Sequence, residues 1–213
     1  MKVVAFVPIR LNSKRGAGKN LKMLGDKPLL QYILETLKET ASIDEVYVYC
    51  SREEIIPLLP QGVKFLKRDE SLDNDETLGK EIYEAFTREI DADVYVLAHT
   101  TSPFIKAATI ENAVRQVTEG GHDSAFSAQK IQTFCWYKGQ PLNYDLKEIP
   151  LTQNIEPVYF ETSAFYIFRK EVWTIEHRRI GESPYMAIVD PIEGIDIDNP
   201  EDFEFATRVL SDK

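Results

Sequence analysis

The sequence predicts an α/β protein on a single doubly wound, mostly parallel sheet with an extended arm, and three observations carry that reading. Short apolar runs without polar alternation, "VVAFV" and "VYVLA" among them, have the character of parallel strands covered on both faces. Amphipathic stretches of helical period separate them. Near Gln132 the rhythm stops, and a stretch with Gly139, three prolines and no helical period intervenes before strands resume.

Val3–Val7 is the first strand. In "PLLQYILETLKE", Pro28 suits a first helical position, and Leu29, Leu30, Ile33, Leu34 and Leu37 form one stripe. "EVYVYC" (Glu45–Cys50) is a second strand, "REEIIPLL" a short helix broken at Pro57, and "VKFLK" (Val63–Lys67) a third strand. "TLGKEIYEAFTREI" is a helix with Leu78, Ile82, Phe86 and Ile90 on one side. "DVYVLAH" (Asp93–His99) is a buried strand ending in "TTSP" before the helix "AATIENAVRQVTEG", after which "DSAFSAQ" resumes the sheet. "AFYIF" and "PYMAIVDP" are late strands. In "DIDNPEDFEFATRVL", Asn199 is the N-cap, Pro200 opens the helix, and Glu201 and Asp202 lie in its first turn. With no repeat or linker, the 213 residues read as one domain, 1–213, with an arm over 132–160.

Composition narrows the function. Hydrophobic residues make up 43% and charged residues 28%, and no apolar run approaches the roughly 20 residues of a membrane span. The first residues lack a small-residue cleavage site and read as a strand rather than a signal peptide. Cys50 and Cys135 have no CxxC partner, which points away from a disulfide scaffold or cysteine zinc site and towards a reducing cytoplasm. The formal charge is −10, yet residues 1–27 hold seven Lys/Arg against one acid, Asp26. A general acidic surface repels nucleic acid and anionic membrane, while a local basic loop can take a small polyanion.

Two constellations carry chemistry. "VPIRLNSKRGAGKN" gathers Arg10, Lys14, Arg15 and Lys19 with Gly16 and Gly18 at the end of the first strand, where open α/β sheets bind ligands. Its glycines permit close backbone approach and its cations neutralise phosphate. It is neither a P-loop, since Ser13 and Asn20 break that pattern, nor a GxGxxG, since Leu21 takes the third glycine position. A merely solvated basic loop stays open as the alternative. In "GIDIDNPED", Asp196 and Asp198 flank Ile197, so on a strand both carboxylates share a face and suit Mg²⁺ bridging to phosphates. A turn with a helix cap is the alternative there. Together the two features suggest metal-assisted nucleotidyl transfer.

"VPIRLNSKRGAGKNLKMLGDKPLLQYIL" resembles the start of the CMP-sialic acid synthetases (acylneuraminate cytidylyltransferases). "LKRDESLDNDET", "TTSPF", "TQNIEPVYFETSAFYIF" and "DIDNPEDF" follow in the family's order over nearly the whole chain. The related CMP-Kdo synthetases share fold and reaction, but the "TTSP" and "TQNIEPVY" segments look more like the acylneuraminate branch.

The resemblance implies a nucleotide-diphospho-sugar transferase-like fold and a Mg²⁺-dependent reaction of CTP with a 2-keto-3-deoxy sugar acid, giving CMP-sugar and pyrophosphate. By the same resemblance, Arg10 and Lys19 are phosphate-binding and catalytic cations, with Ser13, Lys14 and Asn20 in the same nucleotide loop. Arg68 is base-contacting, with Asp75 and Thr77 in the nucleotide-binding segment. Asp196 and Asp198 are metal ligands, and Asp196 also a candidate to help deprotonate the attacking hydroxyl. The sugar side is matched by His99, Thr101, Ser102, Gln153 and Thr162.

Three departures fall on that side: His99 replaces the usual Gln, Thr162-Ser163 replaces Asn-Gly, and Leu151 stands where a basic residue commonly precedes the "TQ" pair. The arm's aromatics, Trp136, Tyr137, Tyr144 and Tyr159, read alone as a satellite core; the resemblance implies a homodimer in which the arm crosses to the partner's site. Alternatives are a nucleotidyltransferase of another base or sugar phosphate, and a non-catalytic nucleotide-binding module.

Overall fold

The unbroken apolar character of the first strand has a direct cause in the computed structural model, which describes residues 1–11 and 18–211. On one face of β1 (Val3–Ile9), Val3, Ala5, Val7 and Ile9 pack with α1 (Leu29–Glu39) and α3 (Ala107–Thr118). On the other face, Val4 and Phe6 join an aromatic layer beneath α2 (Gly79–Glu89) and α4 (Lys170–Glu176). A strand sandwiched this way has no solvent face on which polar residues could alternate.

The remaining sheet strands are β2 (Glu45–Cys50), β3 (Lys64–Lys67), β4 (Val94–Ala98), β5 (Ser124–Ile131), β6 (Val158–Arg169) and β7 (Pro184–Ile188). They form one seven-stranded sheet in the order β7-β5-β6-β4-β1-β2-β3. Only β6 runs antiparallel to its neighbours. From β1 the chain winds outward through β2 to β3, then crosses back to place β4 on β1's other side. The connections leaving β1 and β4 therefore diverge and open a crevice at their carboxyl ends.

Several boundaries differ from the sequence reading. Pro28 caps α1 in an extended conformation (φ −64°, ψ 146°) instead of opening it, because it also pairs with Met23 in a two-residue ribbon. Pro57 lies within a 3₁₀ turn, Glu53–Leu58. Leu78 precedes α2 and is exposed, so Tyr83 rather than Leu78 joins Phe86 on the buried stripe. The sequence reading lacked α4, a seven-residue helix that buries only Val172 and Trp173.

Between β5 and β6 the chain makes a small hairpin, Trp136–Tyr137 against Gln140–Pro141. Its turn residues Lys138 and Gly139 have φ of 49° and 76°, as a tight hairpin needs. Phe134 and Trp136 both meet Tyr144 edge-on, yet Trp136 and Tyr137 stay exposed.

The last helix, α5 (Pro200–Ser211), starts where the Asp202 carboxylate accepts the backbone N–H groups of Asp198 and Asn199. Its Phe203 and Ala206 close a third core with Leu24, Leu29, Phe104 and Ile197. Among the described residues, no helix is long and apolar enough to cross a membrane.

Phe86 joins the aromatic layer most heavily. It is fully buried, stacked on Phe6 at 4.2 Å between centroids, and edge-on to Tyr47, Tyr49 and Tyr95. Phe86→Ala is expected to cost about 3–5 kcal/mol, read as a lower urea midpoint at unchanged slope.

Candidate functional site

Pro8 and Arg10 bring the end of β1 to the crevice, and His99, Thr100 and Thr101 bring the end of β4. With Lys19 and Asn20 they enclose a cleft of about 210 Å³. An adjoining cleft of about 330 Å³ shares Pro8, Arg10 and His99 and continues past Arg68, Asp75 and Thr77 to Tyr83.

Among the described residues, the cations of the nucleotide side each have a defined local task. Arg10 donates from Nη1 to the carbonyls of Asp73 (3.1 Å) and Asn74 (3.0 Å), and from Nη2 to Asp75 Oδ1 (3.1 Å). It thereby fixes the loop before α2 against the end of β1. Arg68 is 1% exposed; its Nη2 donates to Ile9 O (3.1 Å) and to the Asp73 carboxylate. Asn20 bridges the basic loop to β4, donating to Arg10 O (3.2 Å) and accepting from Thr100 Oγ1 (2.6 Å). Lys19 Nζ donates to Ile197 O (2.7 Å) and lies 3.6 Å from Asp198 Oδ1. The Thr77 N–H is held by Asn74 Oδ1 at 2.8 Å. Ser13 and Lys14 lie outside the described residues.

Residues 196–198 are not in a strand, contrary to the expectation from alternation; one backbone-to-backbone hydrogen bond, Ile197 N–H to Thr101 O at 2.8 Å, stands among the described residues where a ladder would be. Ile197 is fully buried, and its two neighbours differ in exposure. Asp198 is largely exposed, beside Lys19. Asp196 is half-buried, and its Oδ1 is shut from water with no hydrogen-bond partner among the described residues. Burial raises the Asp196 carboxyl above the usual range; a hydrogen bond from Thr101 opposes the rise and the Asp198 charge adds to it.

A buried carboxylate oxygen without a partner is an expensive feature unless something binds it. The pair fits Mg²⁺, which takes one or two carboxylates and fills its other positions with water and phosphate oxygens. Among the described residues no cluster of three or more His, Cys, Asp or Glu could hold a metal alone.

On the sugar side, His99 Nδ1 lies 2.5 Å from Ser163 O, and its backbone N–H donates to Ala164 O at 3.1 Å. A carbonyl only accepts, so Nδ1 carries the proton. Burial lowers the His99 pKa, as does the Arg179 cation, against the pull of the Ser163 carbonyl. Ser163 has φ 60°, in the region that favours glycine, at a bulge where the register of β6 on β5 shifts. Thr162 is buried and donates to Ser127 Oγ at 2.8 Å, and Ser102 is buried with Oγ unpartnered among the described residues.

Gln153 sits exposed on a 3₁₀ turn, Thr152–Asn154, and lines neither cleft. The crevice thus gathers Arg10, Lys19, Asn20, Arg68, Asp75, Thr77, His99 and Thr101, with Asp198 reached through Lys19 and Asp196 through Thr101. Sequence reasoning missed Asp73, Asn74, Tyr83 and Arg179. The paired arginines of "HRRI" in an acidic stretch were the available signal for the last.

A family model described as Cytidylyltransferase matches residues 4–212. N-acylneuraminate cytidylyltransferase A of Danio rerio is 28% identical, the match covering 98% of this chain and 51% of the relative. CMP-N,N'-diacetyllegionaminic acid synthase of Legionella pneumophila is 25% identical over 99% of this chain and 97% of its own. The chain thus spans about half the length of the first relative and nearly all of the second. Among solved structures, CMP:2-keto-3-deoxy-manno-octonic acid synthetase complexed with CTP shares the fold, with a TM-score of 0.72 at 18% identity, covering 100% of this chain and 99% of that one.

The raised Asp196 carboxyl carries a stability consequence. Its ionised form is disfavoured in the fold, so stability is lost as pH rises through the folded-state pKa and regained on acidification. Asp196→Asn is expected to raise Tm at pH 7, with the gain vanishing below the ordinary value of 3.8, where the wild-type carboxyl is protonated in both states. Thermal melts of both proteins across that range check it.

Proposed function

The chain belongs to the cytidylyltransferase family, and from that premise we propose that it activates a 2-keto-3-deoxy sugar acid of the acylneuraminate type with CTP, forming the CMP-sugar and releasing pyrophosphate. The observation that carries this reading is the meeting of Lys19 with the 196–198 carboxylate segment at the crevice between β1 and β4. A cation that lines the cleft and touches a carboxylate segment suits a phosphate chain and its counterion.

In this reading Arg10, Lys19 and Asn20 bind the triphosphate, and Ser13 and Lys14 belong to the same nucleotide loop of the sequence. Arg68, Asp75 and Thr77 form the base side in the larger cleft, Arg68 by fixing its wall. The anomeric hydroxyl oxygen attacks the α-phosphorus, the bond from that phosphorus to the bridging oxygen breaks, and pyrophosphate leaves. Lys19 and Arg10 stabilise charge that grows on the phosphate oxygens. Mg²⁺ held by Asp196 and Asp198 would supply further neutralisation there. In this reading Asp196, whose carboxyl burial raises, receives the hydroxyl proton.

His99, Thr101 and Ser102 form the sugar side, and Thr162 acts through the neighbouring Ser163 carbonyl that orients His99. Gln153, exposed on the arm, would reach a sugar only across a homodimer, in which the apolar arm residues Trp136, Tyr137, Ile149 and Leu151 would be covered. We take residues 1–213 as one domain with the arm 132–160. The unpaired Cys50 and Cys135 support a cytoplasmic location.

Pyrophosphate release with CTP, UTP, GTP or ATP, each combined with an N-acylneuraminate, N,N'-diacetyllegionaminic acid, 2-keto-3-deoxy-manno-octonic acid or a neutral sugar phosphate, tests the reading. CTP with an acid should alone turn over; turnover of another nucleotide with the sugar phosphate would overturn it. Lys19→Ala is expected to lower kcat/KM for CTP on the order of 10²-fold. Asp198→Asn should lower kcat by a similar order while leaving the melting curve unchanged, since Asp202 and not Asp198 caps α5.

A further inference from the structure

A sugar acid brings a second anion, its carboxylate, beside the triphosphate that the reading above gives to Arg10 and Lys19. A third cleft, of about 270 Å³, adjoins the larger one and shares Gly79 and Tyr83 with it. Lys80, Trp173, His177 and Arg179 complete its wall.

We propose that Arg179 binds the carboxylate of the acidic substrate, with the Tyr166 ring as its shelf; the assignment rests on the sugar-acid reading above. The Arg179 guanidinium lies 3.6 Å over the Tyr166 ring, and the same ring meets His99 edge-on at 6.2 Å, which ties Arg179 to the crevice. Nη1 donates to Tyr83 Oη at 3.3 Å. Glu161 lies 3.6 Å from Nη2, and its carboxylate already accepts the Tyr166 hydroxyl at 2.6 Å.

Stacking fixes the plane of the guanidinium without using its in-plane donors. Five N–H groups in one plane, against one hydroxyl and the Glu161 carboxylate paired at 3.6 Å, leave donors for a second, bidentate carboxylate. Gly79 belongs to the same device: a Cβ there would lie 2.8 Å from Tyr83 Oη, the atom that steadies Arg179.

The test compares wild type, Arg179→Gln and Arg179→Lys with CTP and the best of the three sugar acids, alongside the C1 carboxamide of that sugar. Arg179→Gln should raise KM for the acid about tenfold or more, leave KM for CTP within about twofold, and narrow the preference for acid over carboxamide. Arg179→Lys should restore part of that preference, because the charge returns without the fork. An unchanged KM for the acid, or an equal loss for acid and carboxamide, would overturn the assignment alone. A wild type that binds CTP but turns over no acid would overturn the functional reading and this assignment with it.

Discussion

Ile197 lies fully buried among Leu24, Leu29, Phe104, Phe203 and Ala206, while its N–H reaches Thr101 O at 2.8 Å and its C=O accepts from Lys19 Nζ at 2.7 Å. Those contacts join the basic loop, the end of β4 and the start of α5, which are far apart in the chain. On either side of that buried isoleucine, Asp198 lies exposed beside Lys19, and Asp196 is half-buried with one oxygen shut from water. The burial of Asp196 imposes a cost, since its raised carboxyl works against folding at neutral pH.

Arg68 plays the matching part on the nucleotide side. Its guanidinium bridges the end of β1 to Asp73, while Arg10 holds the next two residues from the other direction. The loop before α2 is pinned from both sides. Removing one partner of such a buried pair leaves a charge without compensation, which is where buried ion pairs carry their largest effects.

Much of this was legible in the residues. The apolar runs and helical stripes specify a wound sheet, and the cation cluster and "DIDNPED", both local patterns, meet where Lys19 contacts Ile197 O and Asp198. Other features depend on contacts that no local pattern encodes. Arg179 matters through Tyr166 and Tyr83, 13 and 96 residues away, and α4 exists because Val172 and Trp173 find the aromatic layer. The left-handed Ser163 sits at a bulge created by two neighbouring strands, so its role in fixing His99 could not be read from "ETSAF". The strand expected at 196–198 failed for a similar reason: alternation places the side chains, but no neighbouring strand is available to pair.

Residues 196–198 are proposed to anchor a divalent cation carried by the nucleotide. Calorimetric titration of CTP into wild type and Asp196→Asn, each in Mg²⁺ and in chelator, measures it without catalysis. Tighter CTP binding with Mg²⁺ in the wild type, and a metal effect largely lost in Asp196→Asn, is the predicted result. An equal metal effect in both proteins would contradict the account.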